Sequence, residues 1–292
     1  MNALVTGGSG YIGSHLVDAL RQAEHAGRVL DLRSHDGDFI VGSVADAGTV
    51  ARAVRDVEVA YHLAWGFYPG DERREVQENL LGTLNLLEAA LAAGARHLLF
   101  ASTAVVYGPT GPAQVNEEHS CHPEQSTIGG PVYGITKLAC EKLCLMYQRR
   151  GLPMTIFRIH GVFSEGRLGQ FGHMVRQALT GEPVRAIRGA GGEYTHLEDV
   201  LQAFLLAAGN PKAQGEIFNL AGSHTYREPK VARYIVEMAG SSSPLELVKD
   251  PTQEMVSVSA DKLRRVLGYR SEREEFLTEL IRRALNGWEV NK

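Results

Sequence analysis

The sequence predicts an α/β fold in which helices cover both faces of a parallel β-sheet. Along residues 3–160, short apolar runs alternate with segments in which apolar residues recur at helical spacing. A glycine cluster follows the first apolar run, at the point where a strand would turn into a helix. Because strands that alternate with helices pair in parallel, these observations favour one large, doubly covered sheet.

The predicted elements follow in order along the chain. The first strand spans residues 3–6. The first helix begins at Ile12 and continues to about residue 26, because Leu16, Leu20 and Ala23 share its apolar face. The later strands are predicted at residues 28–31, 39–41, 57–64, 97–101 and 154–160. The helices between them are predicted at residues 47–54, 72–93 and 133–150.

The pattern changes after about residue 161. Residues 163–172 are rich in glycine and predict a loop. Shorter elements follow, with helices near residues 173–180, 197–208, 229–239 and 273–288 and a strand at residues 217–221. We therefore expect a sheet domain at residues 1–160, to which the chain returns around residues 193–221. Residues 161–192 and 222–292 would form a smaller C-terminal substrate lobe.

Composition and charge narrow the class of function. The chain has 292 residues, of which 44% are hydrophobic, so it can bury a sizeable core. A net charge of -4, with Lys and Arg dispersed, gives no footprint for nucleic acid or an anionic membrane. These values favour a small-molecule substrate.

Cysteine usage and the N-terminus predict a cytoplasmic protein. Cys140 and Cys144 lie one turn apart in a predicted helix, which suits reduced thiols rather than a disulfide. The first strand begins at Ala3, which leaves no room for a signal peptide. No apolar stretch reaches the roughly 18 residues that a membrane span needs, so we expect no membrane partner.

The glycine cluster has the spacing of a dinucleotide-binding loop. Gly7, Gly10 and Gly13 lie between a predicted strand and a predicted helix, where glycines allow a pyrophosphate to approach the helix N-terminus. Asp31 ends the next strand, roughly 20 residues on, where a carboxylate can accept the ribose hydroxyls. The sheet is therefore predicted to be of the Rossmann type. Asp31 favours NAD over NADP by repelling a 2′-phosphate, although Arg33 could reach such a phosphate.

A second set of residues suggests acid/base chemistry. Tyr133 and Lys137 are four residues apart at the start of a predicted helix, so they share one face. A nearby ammonium stabilises a phenolate and moves its pKa toward neutral pH. Thr103 follows a predicted strand at its carboxyl end, where ligands bind in open α/β sheets, and its hydroxyl could contact the reacting oxygen. Trp65 and Phe67, just beyond another strand, are interpreted as walls of the same cleft.

Five ordered segments carry a family resemblance. They are residues 4–15, His62-Leu63-Ala64, residues 79–83, Phe157-Arg158 and residues 196–200. On these segments the chain resembles the extended short-chain dehydrogenase/reductase superfamily. In particular, it is similar to the NAD-dependent epimerase/dehydratase family, which includes UDP-glucose 4-epimerase.

The resemblance implies roles for individual residues. Thr103 would be the catalytic hydroxyl and Tyr133 the acid/base, while Lys137 would tune Tyr133 and bind the nicotinamide ribose. Further cofactor-binding residues would be Gly7, Gly10, Tyr11, Ile12, Gly13, Asp31, Arg33, Ser43, Val44, Leu63, Ala64, Asn79 and, through its backbone, His160. Ser43 stands where relatives usually carry an Asp that contacts adenine, so the contact could pass to the backbone of Val44.

Several positions depart from the family pattern. Ala104 and Val105 replace the acidic pair that serves dehydration in related 4,6-dehydratases, which disfavours that reaction. Gly161 and Gly192 stand where relatives tend to carry an Asn and an Arg near the substrate diphosphate. Cations that could replace this contact are Arg167, Arg185 and Arg188. The spacing of His119, Cys121 and His122 matches no standard tetrahedral site, so no metal is predicted.

These observations predict an NAD-dependent epimerase that acts on a nucleotide sugar through a transient keto intermediate. One alternative is an NAD(P)-dependent dehydrogenase or reductase of a small non-nucleotide alcohol or ketone, which Gly161 and Gly192 favour. Another is a nucleotide sensor without turnover, which would not need Thr103, Tyr133 and Lys137. The resemblance also implies a homodimer that pairs through the helices at residues 72–93 and 133–150.

Overall fold

The computed structural model describes residues 1–33, 37–271 and 276–290. Its strands are β1 (Asn2–Thr6), β2 (Ala26–Asp31), β3 (Phe39–Val41), β4 (Val59–His62), β5 (His97–Thr103), β6 (Met154–Ile159), β7 (Val162–Phe163), β8 (Val184–Ile187), β9 (Gly191–Gly192), β10 (Thr195–His196), β11 (Glu216–Leu220), β12 (Tyr226–Arg227) and β13 (Leu245–Val248). Its α-helices are α1 (Tyr11–Gln22), α2 (Ala47–Ala53), α3 (Glu72–Ala92), α4 (Tyr133–Arg149), α5 (Gln170–Thr180), α6 (Leu197–Ala207), α7 (Glu228–Met238), α8 (Asp261–Leu267) and α9 (Phe276–Val290).

Seven strands form one parallel sheet in the order β11-β6-β5-β4-β1-β2-β3. From β1 the chain builds outward through β2 and β3, then crosses to the other side of β1 and continues with β4, β5 and β6. The strand order therefore reverses between β1 and β4, and ligands bind at the carboxyl ends of strands at such a switch point. The predicted doubly wound sheet is confirmed.

Helices cover both faces of the sheet, which is why β4, β5 and β6 are buried along their whole length. One apolar cluster joins the sheet to α1, α6 and α8. A second cluster joins the opposite face to α2, α3 and α4, and includes Cys140 and Cys144 as buried free thiols. Apolar packing therefore supports the sheet strands on both faces.

A third apolar cluster lies in the C-terminal part of the chain. It is built by α5, α7 and α9 around the strand pair of β8 and β13, and Phe171, Ile235 and Ile281 are almost fully buried in it. Two short strand pairs, β7/β10 and β9/β12, are formed by segments that connect this cluster to the main sheet along the sequence. Among the described residues, no helix is both long enough and apolar enough to span a membrane.

The structure corrects several predicted boundaries. The first helix ends at Gln22 rather than near residue 26, because Glu24 takes a left-handed conformation (φ 56°) and the chain enters β2 at Ala26. The loop prediction for residues 163–172 is wrong at both ends, since β7 includes Phe163 and α5 begins at Gln170. Strands β8 and β13 and helix α8 were not predicted. The predicted helix start at residue 273 lies outside the described residues.

Candidate active site

The loop between β1 and α1 is packed too tightly for side chains. A Cβ on Gly13 would lie 2.1 Å from the Gly7 carbonyl oxygen, and a Cβ on Gly7 would lie 2.6 Å from the Ala64 nitrogen. Gly10 caps α1 without any side-chain hydrogen bond. The first N–H groups of α1 therefore face open space in which an anion can bind.

A cavity of about 360 Å³ opens beside this loop. The predicted cofactor residues that line it are Gly7, Gly10, Asp31, Arg33, Ser43, Val44, Leu63, Ala64 and Asn79. The Asp31 carboxylate accepts hydrogen bonds from the backbone N–H groups of Ser9 (2.9 Å) and Arg33 (3.3 Å). The Arg33 guanidinium donates to the Ser9 carbonyl (3.0 Å). A carboxylate and a cation thus lie side by side at one end of the cavity.

Asn79 has a more specific part than the sequence indicated. Its amide oxygen accepts from the Gly66 N–H at 2.8 Å, and its amide nitrogen donates to the Gly66 carbonyl at 2.9 Å. This double contact ties α3 to the loop that follows β4. The amide therefore fixes the loop that carries Leu63, Ala64 and Trp65.

A second cavity of about 420 Å³ adjoins the first, and both are lined by Gly7, Gly10, Leu63 and Trp65. The predicted residues that line only the second cavity are Tyr11, Ile12, Gly13, Thr103, Tyr133 and Lys137. The two cavities run from Asp31, past the N-terminus of α1, to the hydroxyl groups at the end of β5.

Thr103 and Tyr133 face each other in the second cavity. Thr103 is the last residue of β5, and Tyr133 is the first residue of α4, which places both at the carboxyl edge of the sheet. Both residues line this cavity, and the Thr103 hydroxyl is close enough to the phenol to affect its pKa. Burial raises the pKa of the Tyr133 phenol, the contact with Thr103 lowers it, and the charge of Glu75 raises it. Without a further positive charge, this tyrosine therefore holds its proton.

Lys137 lies one turn further along α4. Its Nζ donates to the Ala101 carbonyl at 2.6 Å and lies 3.8 Å from the centroid of the Trp65 ring. Burial lowers the pKa of this lysine to about 7. Lys137 is thus a poorly solvated amino group at the wall of the second cavity, and near neutral pH both its charged and its neutral forms are populated.

A buried ion pair that sequence reasoning missed supports this arrangement from behind. Arg158 on β6 donates to the Glu141 carboxylate of α4 at 2.7 Å, and Ser102 donates to the same carboxylate at 2.5 Å. Arg158 also donates to the Tyr107 hydroxyl at 2.8 Å. The network ties α4 to the strand that ends in Thr103. The Phe157-Arg158 match was the only signal for it in the sequence.

His62 is a structural residue. Its Nδ1 is hydrogen-bonded to the Thr6 hydroxyl (2.8 Å) and its Nε2 to the Thr83 hydroxyl (3.0 Å). Burial, together with the charge of Lys137, lowers the pKa of His62 to about 3. The ring therefore stays neutral and joins β1, β4 and α3.

His160 does not line either cavity. Its buried ring turns away, and its Nδ1 is hydrogen-bonded to the Glu193 carbonyl at 3.1 Å. The neighbouring Ile159 and Gly161 line the second cavity in its place. The predicted cofactor contact near His160 therefore stays a prediction, and in this structure the two flanking residues, rather than His160, line the cavity.

Aromatic rings fill the space beside the two unusual glycines. A Cβ on Gly161 would lie 2.3 Å from the Tyr194 ring, and a Cβ on Gly192 would lie 2.3 Å from the His160 ring. The His160 and Tyr194 rings also meet edge to face, with centroids 5.1 Å apart. Neither glycine can be replaced by a larger residue unless a ring moves.

Of the three candidate arginines, only Arg167 lines the second cavity. Its guanidinium lies 4.1 Å from the centroid of the Tyr11 ring, whose hydroxyl donates to Ser164 at 2.5 Å. Arg185 pairs with Glu246 at 3.0 Å. Arg185 and Arg188 line neither of the two cavities.

One further residue, Glu75, lies near the site. Glu75, on the first turn of α3, is buried, and its Oε1 has no hydrogen-bond partner among the described residues. The sequence feature that could have identified Glu75 was its position one turn before Asn79, on the same helix face.

The described part of the chain contains no group of three or more His, Cys, Asp or Glu side chains that could hold a metal ion.

Comparison with known proteins agrees with this geometry. A UDP-N-acetyl-alpha-D-glucosaminuronate decarboxylase from Bacillus cytotoxicus is 30% identical over 265 residues, which cover 83% of this chain and 81% of that protein. A short-chain dehydrogenase/reductase superfamily protein from Agrobacterium tumefaciens, solved with bound NAD, matches with a TM-score of 0.85 and 25% identity, covering 100% of this chain and 98% of the other. The UDP-glucose 4-epimerase of Thermus thermophilus, in complex with NAD, matches with a TM-score of 0.81 and 26% identity over 99% of each chain.

The family model of the NAD-dependent epimerase/dehydratase family matches residues 3–221. This range contains the glycine loop, Asp31, Thr103, Tyr133 and Lys137. The resemblance stated from the sequence is therefore confirmed. The chain belongs to the NAD-dependent epimerase/dehydratase family, an enzyme family of the short-chain dehydrogenase/reductase superfamily.

Proposed function

We propose that the protein is an NAD-dependent epimerase that acts on a nucleotide sugar through a transient keto intermediate. The observation that carries the proposal is the placement of Thr103 and Tyr133 together in a cavity that is also lined by the glycine loop. Reversible oxidation of a sugar hydroxyl needs a proton acceptor close to the nicotinamide end of the cofactor, and in the proposed complex Tyr133 would take that position.

The residues present fit a dinucleotide. The crowded glycines leave the N-terminus of α1 uncovered for a pyrophosphate, and the two adjoining cavities extend from it in opposite directions. Asp31 would accept the adenosine ribose hydroxyls and repel a 2′-phosphate, which favours NAD over NADP. Lys137 would donate to the nicotinamide ribose.

In this mechanism Tyr133 moves the proton. It accepts the proton of the sugar hydroxyl as the carbon becomes a ketone, and later returns it to the same oxygen. NAD supplies reversible acceptance of the hydride from that carbon. Because burial raises the pKa of Tyr133, loss of its proton depends on positive charge nearby, which Lys137 would provide. Thr103 would hold the reacting oxygen, and rotation of the ketone in the cavity would present its other face.

The absence of a second acid/base pair favours epimerisation over loss of water. Elimination needs a base at the neighbouring carbon and an acid at the departing oxygen. At the corresponding positions, Ala104 and Val105 are buried apolar residues, and Val105 lines the second cavity. Epimerisation needs only one acid/base, Tyr133, because NAD would accept the hydride and return it at the same carbon.

The evidence for the main alternative function comes from the substrate side of the site. Tyr194 and His160 fill the space beside Gly161 and Gly192, and Arg167 is the one candidate cation of the three that reaches the second cavity. In the proposed complex, Arg167 would contact the substrate diphosphate. A dehydrogenase or reductase of a small non-nucleotide alcohol or ketone would need no such contact, and the filled space favours that second candidate.

We further propose a cytoplasmic homodimer. Leu81 on α3 and Ile135 and Met146 on α4 expose between 43% and 44% of their surfaces. Apolar residues exposed on two neighbouring helices are typical of a helix-pairing interface. The free thiols of Cys121, Cys140 and Cys144 suit a reducing compartment.

The test is a panel of UDP, GDP and TDP sugars, including UDP-sugar acids, incubated with the enzyme and NAD. We expect one sugar to raise the melting temperature and to be converted to its epimer without net change at the reduced-nicotinamide absorption band. Release of CO₂ from a sugar acid would instead indicate a decarboxylase like the Bacillus cytotoxicus relative. Stabilisation by no nucleotide sugar, with net NADH formed from a small alcohol, would favour the dehydrogenase.

A further inference from the structure

Trp65 lies at the boundary of the two cavities and lines both. It belongs to the loop between β4 and α3. Its ring centroid is 3.8 Å from the Lys137 Nζ and 5.9 Å from the Tyr133 ring, which it meets edge-on. One indole therefore contacts both residues to which the proposed mechanism assigns proton transfer and ribose binding.

The backbone on one side of this indole is fixed. The Asn79 amide makes hydrogen bonds to both the N–H and the carbonyl of Gly66, the residue directly after Trp65. The Trp65 ring can therefore change position by rotating its own side-chain bonds while the loop stays in place.

The indole is not held in place by a hydrogen bond to any residue that the structure describes. Its Nε1 is buried without a hydrogen-bond partner among the described residues. A buried N–H without a partner is unfavourable. The position over Lys137 is instead stabilised by packing and by attraction between the ammonium and the face of the ring.

Three groups surround the Lys137 ammonium in the described part of the chain. One N–H donates to the Ala101 carbonyl, the Trp65 ring lies 3.8 Å away, and the Phe100 ring lies 4.9 Å away. A ribose hydroxyl must come within about 3 Å of Nζ to accept a hydrogen bond. An indole in its present position would keep a ribose hydroxyl off the face of the ammonium that it covers.

This inference rests on the proposed NAD site. We propose that Trp65 is a positioning residue for Lys137. Its indole covers the ammonium in the cofactor-free protein. When the cofactor ribose binds to the ammonium, the indole rotates toward the mouth of the cavity. The mouth lies beside Phe67, which lines the second cavity and is 57% exposed. Cofactor binding then includes the cost of separating the indole from the ammonium.

The first measurement follows the indole directly. The chain has two tryptophans, so in a Trp288→Phe background the emission comes from Trp65 alone. We expect acrylamide to quench this emission more strongly when NAD is added to the cofactor-stripped protein, because the indole moves toward solvent. An indole that stays in place would become more shielded under the cofactor. Unchanged or weaker quenching in the presence of bound NAD would therefore overturn the proposal.

The second measurement is calorimetric titration of NAD into cofactor-stripped variants. Trp65→Leu removes the aromatic face, so we expect NAD to bind between about 2- and 30-fold more tightly than to the wild type. Trp65→Phe keeps a smaller aromatic face and should fall between the two. Melting temperatures confirm that both variants are folded.

The outcomes separate this inference from the proposed function. If Trp65→Leu binds NAD as tightly as the wild type or more weakly, and the wild type binds NAD normally, the proposed cap on Lys137 is contradicted. The proposed NAD site is then unaffected. Absence of NAD binding by the wild type and both variants would overturn the cap and the proposed function together.

Discussion

Glycines play opposite parts in the two halves of the site. Beside α1, Gly7 and Gly13 bring two backbone segments so close together that the N-terminus of the helix is left open for a ligand. On the other side, Gly161 and Gly192 leave room that the rings of Tyr194 and His160 already fill. The first half is a preformed cradle built from backbone. In the second half, aromatic rings from distant segments pack behind Gly161, which lines the second cavity.

This difference separates the effects expected of mutations. Changes in the cradle should weaken cofactor binding, whereas changes on the substrate side should leave NAD in place and alter turnover or substrate affinity.

The largest effect is expected from Tyr133→Phe. Removing the phenolic hydroxyl removes the proposed proton acceptor, so kcat should fall by about 10²- to 10⁴-fold. The dissociation constant of NAD should stay within about twofold, because the ring and its packing remain. Steady-state kinetics and calorimetry measure the two quantities. Tyr234→Phe, which removes a hydroxyl on α7 outside both cavities, is the matched control. Unchanged turnover in Tyr133→Phe would contradict the mechanism.

The next effect is expected from Gly13→Ala. The new Cβ would lie 2.1 Å from the Gly7 carbonyl oxygen, and the overpacking should displace the cradle. At about 1–3 kcal/mol, such strain would weaken NAD binding between about 5- and 150-fold.

Two other alanine substitutions test whether the cofactor cradle and the substrate side respond to mutation independently. Gly27→Ala adds a Cβ with no atom within 4 Å and should leave NAD binding unchanged. Gly192→Ala should push the His160 ring and lower the melting temperature, but leave NAD binding within about twofold, because Gly192 lines neither cavity. Equal loss of NAD binding in Gly13→Ala and Gly192→Ala would break the comparison.

A smaller effect is expected from Asp31→Asn. The amide keeps the shape of the side chain but loses the charge that strengthens hydrogen bonds to the ribose hydroxyls, so NAD should bind about tenfold more weakly. The preference for NAD over NADP should narrow, because the carboxylate no longer repels a 2′-phosphate. Calorimetry with both cofactors provides the measurement. An unchanged ratio of the two dissociation constants would show that Asp31 does not select the cofactor.

The smallest effect is expected from Arg167→Ala. This arginine is exposed and packs on the Tyr11 ring, so its contact with a substrate diphosphate would be partly screened by water. We expect KM for the nucleotide sugar to rise by about three- to tenfold with little change in kcat. Arg185→Ala, which breaks only a surface pair with Glu246, is the control. Equal KM values for the two variants would leave Arg167 without a role in substrate binding.

Local signals made much of the site predictable. The glycine spacing, the acidic residue after the next strand and the four-residue interval from Tyr133 to Lys137 each depend on one element or its neighbour. The structure brings these residues together at the switch point between β1 and β4. The alternation of strands and helices was visible for the same reason.

Features that depend on distant residues were not predictable. The rings of Tyr194 and His160 approach each other across 34 positions of sequence, and β8 pairs with β13, which begins 61 residues later. The Glu141–Arg158 pair joins a helix to a strand. Nothing near Gln22 signals the left-handed conformation of Glu24 that ends α1, because most non-glycine residues avoid it.

The central claim is that the two cavities form one site in which a sugar carbon is oxidised and reduced by the same bound NAD. It is tested most directly by proton NMR of a converted nucleotide sugar in D₂O, with the enzyme and NAD in catalytic amounts. The account predicts interconversion of two epimers in which the reacting carbon keeps its original hydrogen and no NADH accumulates. Incorporation of solvent deuterium at that carbon, or NADH formed in step with product, would contradict it.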